Sequence, residues 1–271
     1  MKGIWNSIFG RGKRETRKQS RRTARHRLGG WESLEDRKMM ACVVANMAPA
    51  LTINCDGAND QVFLFDDGNN MINGSATGFG AFAAAGITDV KVNTGGGDDV
   101  VQYHLVGNLL AGEQRNVTVA LGAGNDRFDA RILHDLQLKS SLVITAYGGT
   151  GNDTIWIDAS NDVDVARGAR LRAILYGHDG NDTLLMNYRG ENDGSVALRE
   201  ASGGAGNDTI RGHLQEDAGS TGSIWGQMHG DDGADVMSLF VITPNAGQKG
   251  EMWGGVGADA MAASANVVVN P

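Results

Sequence analysis

Gly148-Gly149-Thr150-Gly151-Asn152-Asp153-Thr154-Ile155-Trp156-Ile157 holds both halves of a grammar that runs through this chain. Its first six residues are turn formers: glycines free to take positive φ, then Asn and Asp. Its last four alternate, which is the signature of a half-buried strand. The turn recurs as TGGGDD ending at Asp99, LGAGND at Asp126, GHDGND at Asp182, GGAGND at Asp208, GDDGAD at Asp235 and GGVGAD at Asp259. Successive aspartates are 27, 27, 29, 26, 27 and 24 residues apart. A degenerate copy, CDGAND, ends at Asp60, 39 residues before Asp99, so about 12 residues are inserted there.

The second residue after each Asp is always apolar: Val62, Val101, Phe128, Ile155, Leu184, Ile210, Met237 and Met261. A variable polar segment follows, and then a second alternating stretch, such as Leu142-Val143-Ile144-Thr145-Ala146, leads into the next glycines. No window shows a helical period. One such unit cannot bury its apolar stripe alone, whereas in-register stacking makes a continuous core. The expected fold is all-β, a parallel β-solenoid of about seven coils of ~27 residues, β-roll or β-helix like. Residues 42–98 are expected to form an N-terminal cap with the degenerate first repeat, 99–271 the repeats, and 260–271 a short closing strand.

Composition agrees. Gly is 40 of 271 residues, roughly twice the usual share, while Pro is 3, which favours tight turns over linker. Aromatics are 6%, too few for a nucleic-acid stacking platform. The longest apolar window, Met39 to Leu51, is 13 residues, short of the ~18 a membrane span needs. The six histidines (26, 104, 134, 178, 213, 229) share no repeat position, and no Ser-His-Asp or Cys-His grouping is readable. Asp66-Asp67 and Asp231-Asp232 are carboxylate pairs of a type glycosidases use, but adjacent turn acids are normally solvated, and that is the expectation here. Arg167, Arg170 and Arg172 read as a solvated basic segment.

The turns resemble the haemolysin-type (RTX) calcium-binding repeat, G-G-x-G-x-D-x-U-x with U a large apolar residue. Gly148–Ile155, Gly203–Ile210 and Gly254–Met261 match it throughout; Thr94, Leu121, His178 and Asp231 depart at the first or second glycine. The resemblance implies Ca²⁺ held by Asp99, Asp126, Asp153, Asp182, Asp208, Asp235 and Asp259. It also implies loop carbonyls around Gly97, Gly124, Gly149, Gly151, Gly180, Gly204, Gly206, Gly233, Gly255 and Gly257. One motif per ~27 residues implies one ion ladder of up to about six ions, fewer if the turns at His178 and Asp231 fail. Elementary electrostatics points the same way. Stacked aspartates ~5 Å apart repel by ~0.8 kcal/mol in water and ~3 kcal/mol at an effective dielectric of 20. A hard divalent cation with oxygen ligands relieves that. The alternative is that each Asp only closes its own turn through an Asx hydrogen bond.

Charge divides the chain. Residues 1–40 carry 12 Lys+Arg against 4 Asp+Glu, a net of +8; the rest carries 12 against 28, a net of −16. The basic segment 1–41 reads as a disordered leader. Trp31-Glu32-Ser33-Leu34-Glu35-Asp36-Arg37-Lys38-Met39-Met40-Ala41 resembles the LEPR-XLL N-terminal region of bacterial surface and exported proteins, with Asp36 and Met-Met as departures. That implies export and an extracellular or cell-surface location. Cys42 and Cys55, 13 apart, could form one disulfide in an exported protein, but cleavage after Ala48 would remove Cys42, so the bridge stays open. The functional reading is an exported, non-catalytic calcium-binding module for a surface, matrix or adhesion role. Its partners would be calcium ions and surface polysaccharide or other surface proteins, with no specific nucleic acid. Two alternatives stay open: a Ca²⁺-dependent polysaccharide-active enzyme, and an intracellular acidic scaffold with a nucleic-acid-binding arm.

Overall fold

The computed structural model describes residues 42–271 apart from Asn70 and Gln248; the leader expected over 1–41 lies outside the described residues. In chain order the strands are β1 (Val43–Met47), β2 (Ala50–Asn54), β3 (Gln61–Asp66), β4 (Met71–Ala76), β5 (Gly80–Ala85), β6 (Asp89–Gly96) and β7 (Val100–Leu105). Next come β8 (Gln114–Ala123), β9 (Arg127–Ile132), β10 (Ser141–Thr150), β11 (Thr154–Ala159), β12 (Arg170–Asp179), β13 (Thr183–Gly190) and β14 (Ser195–Ala205). The last are β15 (Thr209–Glu216), β16 (Ser223–Asp232), β17 (Val236–Ile242), β18 (Gly250–Val256), β19 (Ala260–Ala263) and β20 (Val267–Asn270). No described residue is helical.

The chain winds as a parallel β-solenoid with two faces. One ten-stranded sheet runs β1-β2-β6-β8-β10-β12-β14-β16-β18-β20, and the other β19-β17-β15-β13-β11-β9-β7-β3-β4-β5. Each glycine turn carries the chain from the first sheet to the second, and each polar segment carries it back. Pairing between successive coils is parallel, and in register apart from a shift after Leu198 in β14: Ile144 lies between Val117 and Ala173, and Ile155 between Phe128 and Leu184. A register slip by one residue would turn each strand's apolar set outward, so the alternation itself pins the coils.

The core is the narrow space between the sheets. Leu142, Ile144 and Ala146 enter from one side and Ile155, Ile157 and Ala159 from the other, all fully buried. Seven of the eight apolar residues placed two after a turn Asp are buried, and Met261 packs partly buried against them. On the edge opposite the glycine turns, Leu109, Leu136, Val165 and Asn192 bridge in parallel and close the core. At the N-terminal end pairing turns antiparallel: β1 with β2, and the inserted residues as β4 on β3 and β5 on β4. At the other end residues 260–271 supply two strands, β19 and β20, one to each sheet.

One detail differs from the sequence reading, and one that it left open is decided. Asp66 is not a solvated turn acid. It is fully buried against an equally buried Arg115, whose Nε and Nη2 both donate to it, the latter at 3.1 Å. Tyr103 Oη donates to Asp66 Oδ2 at 2.6 Å. Arg115 sits 49 residues away in sequence, beyond the reach of any local pattern. Cys42 and Cys55 form a disulfide, which ties the first described residue to the end of β2.

Candidate metal centre

The turn aspartates face inward. Asp99, Asp126, Asp153, Asp182, Asp208 and Asp235 are buried, at 1–3% exposure, and Asp259 at the last turn is half-buried. Their Oδ1 atoms serve a common purpose. Each accepts the backbone N–H of the turn Asp one coil earlier: Asp99 N–H donates to Asp126 Oδ1 at 2.7 Å, Asp126 to Asp153 at 2.8 Å, Asp153 to Asp182 at 2.7 Å and Asp182 to Asp208 at 2.7 Å. The series continues from Asp208 to Asp235 at 2.8 Å and from Asp235 to Asp259 at 3.0 Å, and begins with Asp60 to Asp99 at 2.7 Å. These bonds cross between coils and are not the Asx turns considered from sequence.

A second ladder, unread in the sequence, runs the other way along the fifth turn position. Asn152 N–H donates to Asn125 Oδ1 at 3.0 Å, Asn181 to Asn152 at 2.7 Å and Asn207 to Asn181 at 2.7 Å. The recurrence of Asn just before the Asp was the available signal. The fifth-position Asn and the sixth-position Asp together lock neighbouring turns in both directions.

The second and fourth turn glycines pack backbone on backbone. Gly151 has φ 118°, and a Cβ there would stand 1.8 Å from Gly124 O. Its N–H donates to Asp179 O of the next coil at 2.8 Å. His178 and Asp231 hold the second position at φ 75° and 70°, so these turns keep the glycine conformation, at a cost of ~1–2 kcal/mol each. Thr94 and Leu121 depart at the first position instead.

With Oδ1 committed, the Oδ2 atoms of Asp99, Asp126, Asp153, Asp182, Asp208 and Asp235 are buried without a hydrogen-bond partner. Beside four of them the first glycine, lacking a Cβ, lets oxygens come close. A Cβ added at Gly148 would lie 2.4 Å from Asp153 Oδ2 and 2.6 Å from Gly177 O of the following coil. At Gly177 the same point is 2.3 Å from Asp182 Oδ2 and 2.4 Å from Gly203 O; at Gly203, 2.2 Å from Asp208 Oδ2 and 2.8 Å from Gly230 O. At Gly230 it is 2.4 Å from Asp235 Oδ2 and 2.3 Å from Gly254 O. A carboxylate oxygen and a backbone carbonyl from successive coils therefore converge beside each of these four glycines. These first glycines were absent from the residues chosen by sequence, although five of the seven turns have Gly there.

Buried carboxylates with an orphan acceptor resist ionisation. Burial, then neighbouring aspartates, push Asp182 up to about 7; burial is also the largest cause for Asp99, Asp126 and Asp235, each raised to about 6. Burial raises Asp153 and Asp208 as well. Removing water from unpaired anionic groups is costly, and a cation returns that energy. Carboxylate and carbonyl oxygens are the donor set of a hard divalent ion, and glycine turns leave their carbonyls accessible. The residues fit Ca²⁺, and the family model of the RTX calcium-binding nonapeptide repeat matches residues 145–163, 174–185 and 201–218, with four copies.

The chain carries RTX calcium-binding repeats. The matched segments contain Asp153, Asp182 and Asp208, three turns in which an orphan Oδ2 meets a first-glycine carbonyl. Calcium is the ion these repeats imply. No curated protein and no solved structure matches the chain.

The other candidates do not assemble around the RTX turns. Arg167, Arg170 and Arg172 are exposed. His104 packs edge-on against Phe65 at 5.5 Å and His229 stacks on Trp253 at 4.5 Å, while His26 lies outside the described residues. No helix among the described residues is long and apolar enough to cross a membrane.

Proposed function

We propose that the protein is an exported calcium-binding β-solenoid that serves as a non-catalytic cell-surface, matrix or adhesion module. The observation that carries the reading is the row of buried Oδ2 atoms without partners, three of them, on Asp153, Asp182 and Asp208, in turns that match the RTX repeat. A row of fixed cation sites inside a stack is a means of rigidifying a rod, since each ion ties two coils. It is not the convergent acid, base and nucleophile set of a catalytic site. The Cys42–Cys55 disulfide supports an oxidising destination. The acidic body and the Leu34-Glu35-Asp36-Arg37 leader support export.

On this reading residues 1–41 direct export, 42–98 cap the stack and the ions sit within the repeats of 99–271; surface polysaccharide or another surface protein is the partner. Intact mass of the protein recovered from culture medium and cell envelope tests export, and full-length protein confined to the cytosol would sink it. Purified protein with Ca²⁺ should release no unsaturated oligosaccharides from acidic polysaccharides; steady release would replace the module by an enzyme.

A further inference from the structure

The seven turns are not equivalent at the first position. Gly148, Gly177, Gly203 and Gly230 leave the space in which an Asp Oδ2 meets the next coil's carbonyl. Leu121 and Thr94 place side chains at that position, and both are fully buried. In the Asp99 turn the carbonyl corresponding to Gly177 O is Leu121 O, and Thr94 Oγ1 already donates to it at 2.6 Å. In the Asp126 turn four side-chain carbons of Leu121 occupy the first position. At Gly254 the three atoms nearest the Cβ point all belong to Asp259, Oδ2 at 2.4 Å first, so no following carbonyl comes as near as at the four other glycines.

The devices that need no metal sit at the other end. The Cys42–Cys55 disulfide closes the start of the first sheet. The buried Arg115–Asp66–Tyr103 cluster joins β3, β7 and β8, and Arg115 Nη1 also donates to Ile87 O just before β6. Four segments of the N-terminal coils are thereby fastened at one point.

We propose that calcium loads this solenoid asymmetrically. Resting on the calcium reading above, the intervals that follow Asp153, Asp182, Asp208 and Asp235 each take one ion. The turns at Asp99 and Asp126 take none, and the coils from β2 to β9 form a metal-independent base on which the calcium-dependent coils fold. A solenoid allows this because each coil contacts only its neighbours, so stability is a sum of local terms and part of the stack can order without the rest. The base presents an ordered edge of β8 and β9, on which β10 and β11 add as ions fill the turns.

Hydrogen exchange of the full chain, read by mass spectrometry with chelator and with millimolar Ca²⁺, tests the proposal. Peptides from β10 to β18 should exchange at least tenfold more slowly with Ca²⁺, while peptides from β2 to β8 should change less than twofold. A comparable calcium effect on the N-terminal coils would overturn it. Native mass spectrometry supplies the second measurement. The unsubstituted chain should hold four ions, Asp126→Asn and Asp99→Asn should leave that number unchanged, and Asp182→Asn should lower it. Loss of an ion from Asp126→Asn would refute the asymmetry and leave calcium binding standing. Absence of bound ions from the unsubstituted chain would refute the calcium reading and the asymmetry together.

Discussion

Asp153→Asn separates the two oxygens of one carboxylate and should act with opposite sign in the absence and presence of calcium. Oδ1 accepts the Asp126 N–H at 2.8 Å, and an amide oxygen can take over that bond. Oδ2 is buried without a partner, beside Gly148 and the carbonyl of Gly177. An amide nitrogen in its place can donate to that carbonyl. In chelator the substitution therefore removes an orphan buried acceptor, worth about 1–3 kcal/mol. At roughly 2–4 °C per kcal/mol for a body of this size, a gain of ~1–2 kcal/mol raises Tm by ~2–8 °C. With Ca²⁺ at a thousandfold excess over Kd, the ion contributes ~4.1 kcal/mol to the unsubstituted protein. The variant forgoes that, so its Tm should fall below the unsubstituted value by the equivalent of ~2 kcal/mol. Thermal melts followed by circular dichroism, each with chelator and with millimolar Ca²⁺, give all four numbers. A lower Tm in both conditions would mean that Oδ2 has a structural partner. A higher or unchanged Tm in both would mean that no ion is held there.

Further outcomes follow from the same geometry. The turn aspartates have folded pKa values above the ordinary carboxylate value of 3.8, about 6 for Asp99, Asp126 and Asp235 and about 7 for Asp182. The folded state therefore holds protons that the unfolded chain releases. In chelator stability should be full below about pH 4 and decline as pH rises through 6–7, seen as a falling Tm, while calcium affinity should weaken on acidification through the same window because protons compete for the site. Gly151→Ala puts a Cβ 1.8 Å from Gly124 O at φ 118° and should cost more than ~2 kcal/mol, whereas Gly80→Ala, at φ 82° with open space around it, should cost only ~1–2 kcal/mol; paired melts compare them. Arg115→Met leaves Asp66 buried and uncompensated and should cost about 3–5 kcal/mol, with Asp66→Leu in the same chain recovering much of it in denaturant melts. Reduction of the disulfide, or Cys55→Ser, opens a loop of 13 residues and should cost ~3 kcal/mol, with the loss of protection centred on β1 and β2.

The period of ~27 residues, the strand alternation and the glycine turns determined the architecture by themselves, because stacked coils bury a stripe only if each repeats the same apolar positions. The oxygen-rich turn also made a hard cation legible, since Asp and glycine carbonyls recur in phase. Sequence could not say which way the carboxylates point. Their direction depends on the neighbouring coil, where the backbone N–H of Asp126 is waiting for Asp153 Oδ1, and that neighbour is set by register across 27 residues. The departures were visible too, but their weight was not. His178 and Asp231 look like the worst mismatches, yet they bend into the glycine conformation, while Leu121 and Thr94 leave the turn's shape intact and fill its interior. Asp66 reads as one of two turn acids until β8 brings Arg115 beside it. Local pattern fixes the path of each coil because propensity and alternation act over a few residues. Which polar groups end inside, with or without partners, is decided only when coils tens of residues apart are stacked into one core.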